Sequence, residues 1–278
     1  MINKNFIMNA DCFGMSSSDN KAVLEGYVNG FLTSASLCTN FEYFEDAINN
    51  VLPDCQNLSV GIQLNVTKGV ALTDCPLLTD ERGNFNSGFI YLLQKKSPEL
   101  AGQIEQEFRA QIEKLLAVLK PTHICSVDDI HIIPYIFEIV AKLAQEYGIK
   151  FIRTHYEELY FVPKFTKHLN LTYLSNIVKW IFCKSFTNKN KIVASKYSLK
   201  TNDFIVGILY SNLMDIHSIE YALKEINQES IVECIIHPKK YDNSIKDSHT
   251  KEFSLTLDKN LEERIKKAGF TVTNYNNL

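Results

Sequence analysis

The sequence predicts an α/β fold in which a parallel sheet is covered by helices, with the pattern of a (β/α) barrel. Short apolar runs of strand length alternate along the chain with longer segments of helical period, and this alternation is typical of parallel sheets. The chain has 278 residues, an ordinary length for one such barrel. We therefore predict a single domain over residues 1–278.

Eight apolar runs have the length and residue types of buried strands. They cover residues 4–10, 31–38, 58–65, 122–127, 149–153, 204–209, 231–236 and 269–274. The segments between them contain apolar residues at helical spacing, which predicts six helices. These helices cover residues 17–29, 42–52, 98–119, 133–147, 216–228 and 258–268.

The helix predicted over 98–119 has the clearest internal signals. Pro98 suits a first helical turn, and Ile104, Phe108 and Ile112 recur at four-residue steps on one face. That face is expected to pack against the sheet. In the next helix, Gly148 is a suitable stop because glycine readily adopts positive φ after a helix.

Two segments interrupt the alternation. Residues 66–97 contain several glycines together with proline, Asn and Asp, a composition that predicts a long loop at the rim of the ligand cleft. Residues 154–202 combine many aromatic residues with a basic run, and they predict a helical insertion that caps the barrel. We expect its aromatic residues to pack a small core of their own, with a stacking platform for a ligand as the alternative.

Composition excludes several classes of partner. Hydrophobic residues make up 45% of the chain and charged residues 22%, which is typical of a globular domain, and the formal net charge is only −3. This charge predicts neither a nucleic-acid partner nor binding to an anionic membrane. No apolar run has the length of a membrane span, so we expect a cytoplasmic protein. The seven cysteines form no CxxC pair and are expected to be reduced.

Polar residues follow several of the predicted strands at the point where each strand ends. Because parallel sheets bind ligands at the carboxyl ends of their strands, we expect these residues to meet in one cleft. They are Asp11, Cys12, Gln63, Asn65, Asp128, Asp129, His131, Arg153 and His237.

The motifs at this edge resemble those of the YdjC-like (ChbG/HpnK) carbohydrate deacetylases. They read Asn-Ala-Asp-Cys-Phe-Gly over residues 9–14, Gln-Leu-Asn over 63–65, Cys-Ser-Val over 125–127 and His-Pro over 237–238. The resemblance covers nearly the whole chain and is weakest over 154–202. It implies a (β/α) barrel-like fold of the glycoside hydrolase/deacetylase type, and an N-acetylated carbohydrate as substrate or ligand.

The resemblance also implies a reaction. In the family, a divalent metal held by Asp, His and His polarises the acetamide carbonyl and activates water for hydrolysis of the N-acetyl group. By motif position, Asp11 corresponds to the catalytic base and His237 to the acid that protonates the leaving amine. Arg153 matches an arginine that lines the substrate cleft, with a structural ion pair as the equal alternative. Asn65 is assigned to substrate binding.

The metal-ligand positions differ from the family pattern. They read Cys12, Gln63 and Val127, where the family has Asp, His and His. A neutral amide is a poor ligand and valine has no donor atom, so we expect Mg²⁺ or Zn²⁺ to bind weakly or not at all. Replacement ligands from Asp128, Asp129 and His131 would require a turn, because adjacent residues of a strand point to opposite faces.

Cys12 is also a candidate nucleophile, but the neighbouring carboxylate of Asp11 is expected to raise the pKa of its thiol. Three hypotheses follow: a deacetylase impaired by loss of metal ligands, a noncatalytic homologue that binds a sugar or a protein, and an enzyme of changed chemistry. Fold and family position support the first, loss of ligands with retention of the scaffold is what the second predicts, and no motif supports the third. A homo-oligomer is left open.

Overall fold

Eight parallel strands form the centre of the computed structural model, which describes residues 3–163, 165–243 and 245–278. The strands are β1 (Lys4–Phe13), β2 (Ser34–Leu37), β3 (Ser59–Leu64), β4 (His123–Ser126), β5 (Phe151–Ile152), β6 (Phe204–Val206), β7 (Ser230–Ile236) and β8 (Thr271–Val272). Their order in the sheet is β5-β4-β3-β2-β1-β7-β6, and β8 pairs with the start of β1. Each strand lies within one of the eight predicted runs or extends it by a few residues, so the α/β prediction is confirmed.

The sheet curls so that each outer strand forms a hydrogen bond with the segment that flanks the other outer strand. The amide of Ile152 donates to the carbonyl of Lys200 at 2.9 Å, and the amide of Ile205 donates to the carbonyl of Tyr156 at 2.8 Å. Glu157, the residue after Tyr156, has a buried carboxyl group that accepts hydrogen bonds from backbone amides just after β6. Burial raises the pKa of Glu157 to about 7 although these amides favour the ionised form. The sheet is therefore barrel-like.

Nine helices surround the strands in the described part of the chain. They are α1 (Ser17–Val28), α2 (Phe44–Asp46), α3 (Phe89–Gln94), α4 (Pro98–Leu116), α5 (Pro134–Glu146), α6 (Leu171–Lys196), α7 (Ile216–Lys224), α8 (Ser248–Thr256) and α9 (Lys259–Lys267). Five of the predicted helices match α1, α4, α5, α7 and α9. The sixth, over 42–52, consists of α2 followed by a π-helical turn at Ala47–Val51.

The predicted signals at the ends of helices act as expected. Ser97 caps α4 by accepting a hydrogen bond from the amide of Leu100, and Pro98 occupies the first turn. Ile104, on the face of α4 that was expected to meet the sheet, is fully buried. After α5, Gly148 has a φ of +66°, a conformation that ends the helix and leads into β5.

The segment that was expected to be a helical insertion contains α6, the longest helix of the described chain, with 26 residues. Its inner face packs against α5. Aromatic rings near its start pack against one another: the ring of Tyr173 lies 6.3 Å from that of Phe165 and 5.4 Å from that of Tyr210. Among the described residues, none of the helices combines the length and apolarity that crossing a membrane requires.

Candidate functional site

The carboxyl ends of the strands bring the predicted polar residues to one edge of the barrel. Asp11 and Cys12 lie near the end of β1, and Gln63 is the penultimate residue of β3. Arg153 directly follows β5, and His237 directly follows β7. Their common location follows from the parallel sheet, because all of its strands end on the same side.

A buried ion pair joins Asp11 to Arg153. The two terminal nitrogens of the Arg153 guanidinium donate to the two carboxylate oxygens of Asp11, each at 2.8 Å. The same guanidinium donates to Glu233 of β7 from Nε at 3.0 Å and from Nη2 at 2.6 Å. The side chains of Arg153 and Glu233 have no exposed surface, and Asp11 is 3% exposed. Arg153 thus lies inside the barrel and positions Asp11.

Every acceptor position of Asp11 is occupied in this arrangement. Besides the two bonds from Arg153, the amide nitrogen of Asn9 donates to Oδ1 at 2.8 Å and that of Gln63 donates to Oδ2 at 2.9 Å. A carboxylate offers about four acceptor sites, so its capacity is filled. To accept a proton from water, Asp11 would have to release one of these donors.

Gln63 holds the turn at the end of β1. Its side-chain oxygen accepts hydrogen bonds from the backbone amide of Cys12 at 2.7 Å and from the thiol of Cys38 at 3.2 Å. Its side-chain nitrogen donates to Asp11, as described above. Cys12 has a φ of +67°, which is uncommon for a residue other than glycine, and the bond from Gln63 supports this conformation.

The chemistry of these donors does not fit a divalent cation. Burial, and then the charge of Asp11, raises the pKa of the Cys12 thiol, so it is not a thiolate at neutral pH. The amide of Gln63 is committed to protein partners. Val127 is 2% exposed and has no donor atom. Across residues 3–163, 165–243 and 245–278, no group of three His, Cys, Asp or Glu side chains is arranged to hold a metal ion.

The segment that could supply replacement ligands does form a turn. Asp128 and Asp129 have φ values of +53° and +54°, within a short helical turn over Val127–Ile132. Their carboxylates nevertheless have separate partners. Asp128 is 42% exposed and pairs with Lys68 at 2.6 Å.

Asp129 pairs with His155 and with Lys179, at 2.8 Å and 2.5 Å. Burial opposes ionisation of its carboxyl group, but the charges of Lys179 and His155 outweigh burial and hold the pKa of Asp129 well below its usual range. Asp129 is therefore a carboxylate with two partners of its own.

His131 is fully buried and has a partner at each ring nitrogen. Its Nδ1 lies 2.6 Å from the hydroxyl of Ser126, and its Nε2 lies 3.2 Å from the carbonyl of Arg153. Burial lowers the pKa of His131, which keeps the ring neutral. The ring thus supports the segment that carries Arg153.

His237 is the most accessible of the proposed catalytic side chains, with 32% of its side chain exposed. Its Nδ1 lies 3.5 Å from Glu252, and its backbone amide donates to the same carboxylate at 2.5 Å. Burial alone would lower the pKa of His237, but Glu252 outweighs burial and the pKa is raised. The contact with Glu252 therefore favours the protonated form of the imidazole.

Asn65 lies in the turn after β3, and its side chain is buried. Its oxygen accepts from the amides of Thr67 and Lys68 at 3.0 Å and 3.1 Å, and its nitrogen donates to the carbonyl of Lys68 at 2.6 Å. These bonds fix the turn that directs Lys68 toward Asp128. The assignment of Asn65 to substrate binding stays a prediction.

Several residues that contact the site were not singled out from the sequence. Glu233 interrupts the apolar run of β7, and a charged residue within such a run was an available signal. His155 comes three residues after β5, so the same rule that selected Arg153 applies to it. Lys179 and Glu252 lie on helices, and no local pattern connects them to the edge.

Comparisons with known proteins were made for the whole chain. Residues 5–267 match a protein family described as YdjC-like protein. A carbohydrate deacetylase of Clostridium beijerinckii is 41% identical over 147 residues, which are 51% of this chain and 57% of that protein. A carbohydrate deacetylase of Brevibacillus brevis is 41% identical over 145 residues, which are 51% of this chain and 56% of that protein. The chain thus spans little more than half the length of these relatives.

A solved structure from Enterococcus faecalis V583, described as a proposed cellobiose-phosphate cleavage protein, is similar over nearly the full length of both chains. The alignment covers 99% of this chain and 98% of that chain, with a TM-score of 0.79 and 19% sequence identity. At this identity the similarity shows the fold alone, and it confirms the predicted α/β architecture.

Proposed function

The chain belongs to the YdjC-like protein family, and from this membership we propose that it is a carbohydrate deacetylase-family protein whose metal-dependent hydrolysis of N-acetyl groups is impaired. Its ligand is an N-acetylated carbohydrate that binds at the carboxyl edge of the barrel. Relatives named carbohydrate deacetylase support the class of ligand.

The observation that carries this proposal is the set of donors around Asp11. Gln63, at a family ligand position, spends its amide on Asp11 and on the backbone of Cys12. A base must accept a proton, but all acceptor sites of Asp11 are filled. Glutamine at position 63 therefore replaces a metal ligand of the family, and its amide also fills an acceptor site of Asp11, the candidate base.

The other half of the proposed machinery is retained. His237 has a raised pKa and an accessible side chain, so it can donate a proton to a leaving amine or a hydrogen bond to a sugar. We assign His237 to contact with the carbohydrate. Arg153 acts through Asp11 as a positioning residue.

The metal test uses the chain and a variant with the family ligands, Cys12→Asp/Gln63→His/Val127→His. After treatment with a chelator, calorimetric titration with Zn²⁺ or Mg²⁺ is expected to show no saturable site in the unchanged protein and one site in the variant. The double variant Cys12→Asp/Gln63→His is the matched control, because without the third ligand it should bind far more weakly. One tightly bound equivalent in the unchanged protein would contradict the proposal.

The rate of acetate release distinguishes an impaired deacetylase from the alternative, a noncatalytic homologue that binds a sugar or a protein. An impaired enzyme releases acetate slowly from N-acetylated oligosaccharides, and His237→Asn lowers this rate further. Release no faster than the background, with or without His237, supports the noncatalytic alternative.

A further inference from the structure

An apolar pocket opens next to the site, between α3 and α6. Its volume is about 350 Å³. Phe89 and Ile90 form one wall, Val178 and Phe182 form the other, and Ile132 is also part of the lining. The rings of Phe89 and Phe182 meet edge to face, with centroids 6.3 Å apart. Pockets of this size with mainly apolar walls are typical of sites for small molecules.

The pocket is continuous with the carboxyl edge of the barrel. Asp128 and Lys179 are part of its lining, and both belong to the ion pairs described above. Asp128 is adjacent to Val127, the residue at a family ligand position. The ion pairs at this edge thus form part of the pocket lining, so a molecule held at the edge is positioned to extend into the pocket.

The walls of the pocket are apolar and accessible to solvent. Ile90 is 58% exposed, Val178 is 55% exposed and Phe182 is 36% exposed. Covering such side chains with an apolar group is favourable, because apolar surface leaves water. The polar part of the lining consists of Asp128, Ser175 and Lys179, so the pocket offers both polar and apolar contacts to a ligand.

We propose that this pocket binds the apolar aglycone of a glycoside whose sugar lies at the carboxyl edge. The inference rests on the proposed function and narrows its ligand to carbohydrates that carry an alkyl or aryl group. The continuity of the pocket with the site favours this occupant over a second copy of the chain, which would have to insert a side chain between α3 and α6.

The test compares octyl and methyl glycosides of N-acetylglucosamine, the octyl compound being kept below its critical micelle concentration. Calorimetry is expected to show at least roughly tenfold tighter binding of the octyl glycoside, since burial of two methylene groups suffices for that factor. Val178→Asp and Ile90→Asp, on opposite walls, should each bring the ratio of the two affinities close to one. Ile192→Asp, on α6 outside the pocket lining, should preserve the ratio.

The outcomes separate this inference from the proposed function. Equal affinity for the two glycosides overturns the pocket and leaves carbohydrate binding intact. If neither glycoside binds, both proposals are contradicted for this sugar. Sedimentation of the same variants tests the second copy: loss of a dimer in Val178→Asp with an unchanged octyl preference also overturns the inference.

Discussion

The guanidinium of Arg153 pairs with two carboxylates in the interior of the barrel, those of Asp11 and Glu233. Arg153 is 142 residues from Asp11 and 80 residues from Glu233 in the chain. The curled sheet brings the three side chains together. Taking such charges out of water is costly, and their mutual attraction offsets that cost only while all partners are present. Arg153 therefore matters for folding as well as for the geometry of the site.

We predict that Arg153→Met lowers the free energy of unfolding by about 3–5 kcal/mol, because it leaves two buried carboxylates without their cation. Urea denaturation at neutral pH measures the change. Arg109→Met is the matched control: its guanidinium is 32% exposed and pairs with Glu105 and Glu146 on the surface. Such a pair contributes about 0–1 kcal/mol, so equal losses in the two variants would contradict a structural role for the buried pair.

The pair of His237 and Glu252 predicts a titration that can be measured directly. Burial lowers the pKa of His237 and Glu252 raises it, and the result lies above the ordinary value of 6.5. In Glu252→Gln, the largest effect that offsets burial is removed and only the more distant charge of Asp11 still raises the pKa, so the pKa of His237 should fall. Proton NMR of the imidazole follows the titration, and Glu220→Gln, which removes a carboxylate from α7, should leave it unchanged.

The sign of the linked stability follows from the same shift. Because the folded-state pKa is raised, the interaction stabilises the protein fully below the unfolded-state value and is lost as pH rises through the folded-state value. The stability difference between the unchanged protein and Glu252→Gln should therefore shrink from acidic to alkaline pH. A difference that grows with pH would contradict this assignment.

At the scale of single elements, β3 shows how closely the inside of the barrel is packed. Gly61 lies beside the imidazole of His123, and a Cβ at position 61 would overlap the ring. His123 cannot move away easily, because its ring nitrogens each lie 3.0 Å from a hydroxyl, those of Ser36 and Thr122. The requirement for glycine at position 61 could not be predicted from the sequence, because the ring that excludes a side chain there belongs to His123 on another strand.

We predict that Gly61→Ala is destabilising by roughly 1–3 kcal/mol, the usual cost of overpacking a core. The measurement is the midpoint of urea unfolding. Gly102→Ala, in the second turn of α4, makes the same chemical change where a Cβ meets open space. There alanine should stabilise the helix by up to about 1 kcal/mol, so a shared direction of change would refute the packing argument.

The elements that could be predicted from sequence are those whose signals are local. The strands are apolar runs, and α4 and α5 carry apolar faces at helical spacing. By contrast, α8 has few apolar residues, and its main signal is the capping box of Asp247 and Thr250. The helix α3 lies directly after a loop rich in turn residues, which conceals its start.

The same division applies to the candidate site. The rule that ligands bind where parallel strands end brought Asp11, Gln63 and His237 to one edge, and the structure places them there. Their partners could not be predicted, because a hydrogen bond between Gln63 and Asp11 depends on how two strands 52 residues apart are aligned. Family motifs indicated which positions matter, whereas the contacts made by the substituted residues required the structure.

At the scale of the whole molecule, the two ends of the barrel are built differently. The proposed site lies at the carboxyl ends of the strands. At the amino ends, Tyr275 is 4% exposed and covers the interior. Its ring stacks on His123 with centroids 4.2 Å apart and lies 5.1 Å from the ring of Phe151. In barrels of this type, the amino end serves stability and the carboxyl end serves function.

This separation predicts that Tyr275→Ala lowers the free energy of unfolding by about 3–5 kcal/mol, as for other large aromatic side chains removed from a core. The affinity for an N-acetylated glycoside, measured by calorimetry well below the melting temperature, should stay unchanged, because the rings that Tyr275 packs against, those of His123 and Phe151, lie at the amino ends of β4 and β5. Tyr221→Ala, at a half-buried position of α7, is the control and should cost less stability. Weaker glycoside binding in Tyr275→Ala, with the protein still folded, would show that the two ends of the barrel are coupled.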